Sequence, residues 1–162
     1  MSYSALTVNG QELEFLYISS RGTGPCLVLL HEGLGCVAMW KDFPSELSEQ
    51  TGLDVLAYSR TSYGGSSAGE FPRPIDFHTR EARDVLPALL DAFKIGSSIL
   101  VGHSDGASIA LLNAAIVQDP RVKGIVVLSP HVLNERCCRN EIRSAVDAYE
   151  NGNLRAKLRR YH

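Results

Sequence analysis

The chain has 162 residues, 44% of them hydrophobic and 21% charged, with a formal net charge of −2, enough for one domain with a packed core. That balance gives no electrostatic footprint for a nucleic-acid partner or an anionic membrane surface. Met1-Ser2-Tyr3-Ser4-Ala5 lacks the basic and apolar regions of a signal peptide, and no apolar run is long enough to cross a bilayer.

Leu6 to Ile18 reads as two strands around Asn9-Gly10, the preferred two-residue hairpin connection. Ser19 to Pro25 is a loop. Cys26-Leu27-Val28-Leu29-Leu30 is continuously apolar, as expected for a strand covered on both faces of a parallel sheet. It ends in the glycine-bearing segment His31-Glu32-Gly33-Leu34-Gly35. A helix is predicted from Phe43 or Pro44 to Gln50, with Pro44 suited to its start and Gly52 to its stop, and with Trp40, Phe43 and Leu47 on its inner side. Leu53 to Tyr58 is the next strand, leading into the turn-rich Ser59-Arg60-Thr61-Ser62-Tyr63-Gly64-Gly65-Ser66-Ser67.

After Pro72 and Pro74 an amphipathic helix is predicted from about Asp76 to Phe93. Phe77, Val85, Leu86, Leu89, Leu90 and Phe93 face inward and Arg80, Glu81, Arg83, Asp84 and Asp91 mostly outward. Pro87 removes one backbone hydrogen bond and is expected to kink it. The run Ser98-Ile99-Leu100-Val101 then stops abruptly in Gly102-His103-Ser104-Asp105-Gly106, and a helix follows, with Ala107, Ala110, Ala114 and Ala115 permitting close packing on the sheet. Strand before and helix after give the Gly-x-Ser-x-Gly segment its meaning: a tight turn that lifts the Ser104 hydroxyl to a helix N-terminus, a nucleophile elbow. Val122 to Leu128 is the last clear strand, ending at Ser129-Pro130-His131. Glu141, Ile142, Ala145, Val146 and Tyr149 suggest a tail helix, Asn151-Gly152-Asn153 breaks it, and Leu154 to Arg160 is a short basic helix whose charge reads as a solvated face.

Three ordered segments, Leu30-His31-Glu32-Gly33-Leu34-Gly35, Tyr58 to Ser66 and Gly102-His103-Ser104-Asp105-Gly106, resemble signatures of the α/β-hydrolase superfamily, in its small esterase- and C–C-hydrolase-like branch. The resemblance covers nearly the whole chain up to about Pro130. It implies a three-layer α/β/α sandwich on a mostly parallel sheet, an α/β-hydrolase fold left incomplete, with residues 1–133 as its core and residues 134–162 as the start of a cap. Ser62 departs from the glycine usual in that loop and puts the local backbone conformation in question. The implied roles are Ser104 as nucleophile and the backbone N–H groups of Asp105 and Gly33, with Leu34 next, as the oxyanion hole.

A serine nucleophile needs a base and a carboxylate to orient it. The resemblance places both after later strands, and this chain ends at His162, before them. Among local residues, His131 lies on the active side of the sheet and is the stand-in base. His103 is expected to be packed and structural, His31 to brace its loop, His78 to lie on the surface, and His162 to be terminal and mobile. Glu135 and Glu32 have weak claims as the acid, and Asp105 is expected to offer its N–H rather than its carboxylate.

The expected activity is therefore hydrolysis of an ester, thioester or related acyl bond in a small molecule through Ser104, impaired or absent in so short a chain; the alternative is a non-catalytic binding or assembly module. No metal or organic cofactor is implied, since the histidines lack ligand spacing and the glycine loops lack a phosphate-binding pattern. Cys26, Cys36, Cys137 and Cys138 show no Cys-x-x-Cys spacing and read as four free thiols, which with the missing signal peptide predicts a cytoplasmic location. Nothing after Leu128 reads as a strand, so Val122–Leu128 is expected at the sheet edge, open to self-association.

Overall fold

The computed structural model describes residues 3–133 and 136–162. Six strands, β1 (Ser4–Val8), β2 (Gln11–Ile18), β3 (Cys26–Leu30), β4 (Val55–Tyr58), β5 (Ser98–His103) and β6 (Val122–Leu128), form one sheet in the order β1-β2-β4-β3-β5-β6. The β1–β2 hairpin is antiparallel and joins β4 antiparallel, whereas β4, β3, β5 and β6 are mutually parallel. Asn9 and Gly10 both take positive φ (50° and 78°), the conformation of the tight turn that matches strand twist.

Side-chain alternation along the parallel strands builds a core on each face. Cys26, Val28, Leu30, Leu56, Tyr58 and Leu100 point to one side. Leu27, Leu29, Val55, Ala57 and Val101 point to the other. Helix α1 (Phe43–Thr51) lies on the second side. Its stop is as expected, Gly52 at φ 67°, but its buried residues are Pro44 and Ser48, while Leu47 is partly buried and Phe43 exposed.

The first side carries a helical run over residues 77–92 made of α2 (Phe77–Arg80), a π-helical turn (Glu81–Val85) and α3 (Leu86–Ala92). A π turn just before Pro87 makes room for a ring that would otherwise meet the carbonyl four residues back, so the expected kink is taken up as a wide turn. Glu81 corrects the sequence expectation: it is buried, and the Tyr58 hydroxyl donates to its Oε1 at 2.7 Å.

Helix α4 (Asp105–Leu112) packs on the same side and widens into a second π turn, Asn113–Val117. Ala107 and Ala110 are buried against the sheet as expected; Ala114 and Ala115 are exposed, because the widened turn rotates them away from it. Ser62 holds φ 72°, a glycine-like conformation, and its hydroxyl accepts the Gly69 N–H at 2.7 Å, which compensates for the strain. The tail forms α5 (Arg136–Glu150) and α6 (Leu154–Leu158). Among the described residues, no helix is long and apolar enough to cross a membrane.

Candidate active site

In an open parallel sheet, successive strands that leave in opposite directions open a crevice at their carboxyl ends. Here β4 lies on one side of β3 and β5 on the other. The pairing of Leu30 with Gly102 and of His103 with Leu128 brings the ends of β3, β5 and β6 side by side. Three chemistry-bearing segments therefore meet: the loop after β3, the turn after β5 and the segment after β6.

The turn after β5 is the strained one. Ser104 sits between strand and helix at φ 53°, ψ −113°, and its N–H donates to Leu128 O at 2.8 Å. Its flanking glycines are required by space. A Cβ on Gly102 would stand 2.4 Å from Gly106 O, and one on Gly106 would stand 2.0 Å from Leu30 O. The sequence expectation of an elbow holding Ser104 at a helix N-terminus matches this backbone.

The Ser104 hydroxyl lies 2.9 Å from His131 Nε2. His131 is held by its own backbone, whose N–H donates to Ser108 Oγ at 3.0 Å, one turn into α4. Donation by the hydroxyl to Nε2 requires the tautomer with the ring proton on Nδ1. His131 Nε2 also lies 3.7 Å from Asp105 Oδ1.

Asp105 differs from expectation, because its carboxylate is part of the site. It lies 3.4 Å from His78 Nε2 and 3.6 Å from an Arg60 guanidinium nitrogen. Burial pushes its pKa up, but the His78 contact and the positive charge of Arg60 outweigh burial and hold it below the usual value. His78 is half-buried rather than a free surface residue: its Nε2 is buried without a hydrogen-bond partner and faces Asp105, because α2 packs against α4.

Arg60, at the tip of β4, ties the site to the loop after β3. Its guanidinium donates to the carbonyls of His31 and Glu32, and its N–H donates to His31 Nε2 at 3.0 Å. His31 Nδ1 in turn donates to Glu32 O at 2.7 Å. Burial first, then the Arg60 charge, hold His31 well below its ordinary pKa, so it braces the loop as a neutral ring. Gly33 faces Asp105: a Cβ there would come within 3.1 Å of Oδ2. Leu34 is exposed and borders two cavities described below.

The remaining candidates are placed as follows. His103 is exposed rather than packed, 3.9 Å from Glu32 Oε2, and Glu32 points to it instead of to His131. His162 is fixed by two hydrogen bonds, accepting the Gly64 N–H at 2.9 Å and donating to Leu34 O at 3.0 Å. Glu135 lies outside the described residues. Sequence reasoning missed Arg60 and His78. Arg60 lies two residues past the end of β4, which was a usable signal; His78 had none short of knowing how α2 packs.

A strained strand-turn-helix at the carboxyl edge of a mostly parallel sheet, with helices on both faces, defines a protein of the α/β class. The chain belongs to the alpha/beta hydrolase fold family, whose model matches residues 25–148. It is 32% identical over 115 residues to an epoxide hydrolase of Caballeronia sordidicola, an alignment covering 70% of this chain and 33% of that protein. Among solved structures, it is 29% identical to epoxide hydrolase A of Mycobacterium thermoresistibile, with a TM-score of 0.68 over 90% of this chain and 44% of that one. A structure from a study of carboxylesterases of Nitrososphaera gargenis matches with a TM-score of 0.70 at 22% identity, covering 93% of this chain and 54% of that one, which speaks for the fold alone. The chain thus spans about a third of the length of the curated relative.

Proposed function

We propose that this chain carries the acyl-transfer half of a serine hydrolase: Ser104 attacks the carbonyl of a small ester or thioester, with His131 as base. The observation that carries this reading is the 2.9 Å contact between Ser104 Oγ and His131 Nε2 at a strained elbow. In the proposed step, Nε2 takes the hydroxyl proton as Oγ bonds to the carbonyl carbon. The oxyanion forms at the start of α4, where the N–H groups of Asp105 and Gly33 are the proposed donors, with Leu34 next. The imidazolium lies beside the Asp105 carboxylate, then returns its proton to the leaving group. Water repeats the sequence on the acyl-serine.

Asp105 has two opposing effects here. Its charge favours the imidazolium but opposes an oxyanion near Gly33, so the Arg60 guanidinium is needed to offset the second effect. This divided arrangement supports slow turnover of activated esters by the 162-residue chain.

Epoxide opening is the second reading, favoured by the names of the relatives. Attack by the Ser104 hydroxyl on an epoxide carbon would leave an ether with no carbonyl for water to attack. An epoxide reaction would instead need a carboxylate nucleophile, whose product is a hydrolysable ester, and Asp105 is the candidate. The test is hydrolysis of p-nitrophenyl acetate and of styrene oxide by the parent chain, Ser104→Ala, His131→Ala and Asp105→Asn. Ester turnover should vanish in Ser104→Ala and fall roughly 10²–10⁴-fold in His131→Ala. Epoxide turnover that survives Ser104→Ala and disappears in Asp105→Asn would select the second reading. Absence of both activities would leave a binding or assembly module. The free thiols Cys26, Cys36 and Cys138 support a reducing, cytoplasmic setting for either chemistry.

A further inference from the structure

Two cavities separate the tail helices from the loops at the carboxyl edge of the sheet, and they differ in chemistry. The first, about 450 Å³, is lined by Gly33, Leu34, Ile142, Val146, Leu154 and Leu158, among others, and is almost wholly apolar. The second, about 540 Å³, brings Arg73 from the loop before α2 together with Arg155 and Arg159 from the tail, against Tyr63, His162 and Leu34. Leu34 and Leu158 line both, so the two share a wall. Gly33, whose Cβ position lies 3.1 Å from Asp105 Oδ2, lines the apolar cavity, while Ser104 lines neither cavity.

Four arginines meet aspartates, Arg60 with Asp105, Arg80 with Asp76, Arg83 with Asp84 and Arg121 with Asp119, while among the described residues Arg21, Arg139, Arg143 and Arg160 have no ion pair. Among the described residues, no side-chain or terminal carboxylate lies within ion-pair distance of Arg73, Arg155 or Arg159. Two of the three guanidiniums are pre-positioned instead. Arg73 lies over the Tyr63 ring, 4.3 Å from its centroid, and donates to the Tyr63 hydroxyl; Arg155 lies 5.7 Å from the Tyr149 centroid. Arg73 also donates to Thr61 O at 3.4 Å, so its fork is fixed with part of its donor capacity already used. In a chain whose net charge is −2, Arg155 and Arg159 from the tail, exposed and without an ion pair among the described residues, line one cavity with Arg73, whose charge also acts on buried Glu81.

We infer that the substrate is an acyl ester whose short apolar chain ends in a carboxylate: the reacting carbonyl lies at Ser104, the chain in the apolar cavity and the carboxylate among Arg73, Arg155 and Arg159. This rests on the acyl-hydrolase reading for the position of the carbonyl, while the anion site stands on its own geometry. A planar guanidinium fork matches a carboxylate in two parallel hydrogen bonds.

Binding to the 162-residue Ser104→Ala chain, which cannot turn over, separates the two ideas. Monoethyl adipate, diethyl adipate and inorganic phosphate are titrated calorimetrically at low and high salt. The monoester should bind at least ten-fold more tightly than the diester, and the difference should shrink at high salt. Adding Arg159→Glu should reverse the preference toward ethyl 6-aminohexanoate, a gain that a damaged fold cannot produce; Arg155→Gln should lower the monoester-to-diester ratio about ten-fold. Equal binding of monoester and diester, or phosphate binding as tight as the monoester, overturns the carboxylate assignment. Monoester selectivity without esterase activity in the parent chain would overturn the acyl-hydrolase reading and leave the anion site standing. Esterase activity without selectivity would do the reverse.

Discussion

Ser104 spends conformational energy on its position. Its backbone angles lie outside the favoured regions for an L-residue, at a cost of about 1–3 kcal/mol. The hydrogen bond from its N–H to Leu128 and the packing of α4 hold it there. Glu81 is a second residue held against its preference. Burial raises its carboxyl pKa, and this exceeds the opposing effects of Arg60, the Tyr58 hydrogen bond, Arg73 and His78. The folded state therefore keeps the Glu81 proton to higher pH than the unfolded chain, whose glutamates titrate near ~4.3. Its contribution to stability is full below that value and is lost as pH rises through the folded-state pKa. Glutamine at this position keeps an acceptor for the Tyr58 hydroxyl and removes the titration. The urea midpoint of Glu81→Gln should match the parent near pH 4 and move above it as pH rises. A midpoint difference independent of pH would show that burial of Glu81 carries no such linkage.

At the scale of elements, the elbow works because α4 approaches β3 closely enough to leave no room for a methyl group. Gly106→Ala would press a Cβ to 2.0 Å from the Leu30 carbonyl, a backbone atom that cannot swing aside. The helix must shift, at a cost on the order of 3 kcal/mol. For a chain of this size that lowers the melting temperature by roughly 6–12 °C, and esterase turnover should fall with it. Gly96→Ala is the control, since a Cβ there meets nothing within 4 Å. Its melting temperature should be unchanged or slightly higher. Much of this layer was legible in the sequence. β3 and β6 have the boundaries that their apolar runs suggest, the hairpin turns at Asn9-Gly10, and the elbow is where its glycines put it. The π turns were not legible, because helical periodicity carries no mark of one extra residue; that is why Glu81 was placed outside and Ala114 and Ala115 inside. The site was half legible. Ser104 and His131 follow strand tips, but the approach of His78 to Asp105 depends on how two helices pack, which no local pattern encodes.

For the molecule as a whole, the open flank of the sheet is the main unresolved energetic fact. Among the described strands, β6 pairs only with β5, so one row of its backbone groups has no partner strand. Ile125 and Val127 pack on the core that holds α4, whereas Val126 and Leu128 are 48% and 49% exposed. The tail does not cover them: α5 and α6 line the cavities beside Leu34, and Ile142 and Val146 of α5 remain exposed. Edge strands resist pairing through charge, and β6 carries one such guard, Lys123, near its start; the apolar half from Ile125 to Leu128 has none. We propose that in the 162-residue chain this half pairs with a second copy. Light scattering coupled to size exclusion should then show a concentration-dependent dimer, with amide exchange along residues 125–128 slowing as the dimer forms. Val126→Lys should restore the monomer without lowering the melting temperature, because the side chain points to solvent. A parent chain that stays monomeric at high concentration while the amides of this segment are fully protected would overturn the proposal, since the edge would then be covered from within.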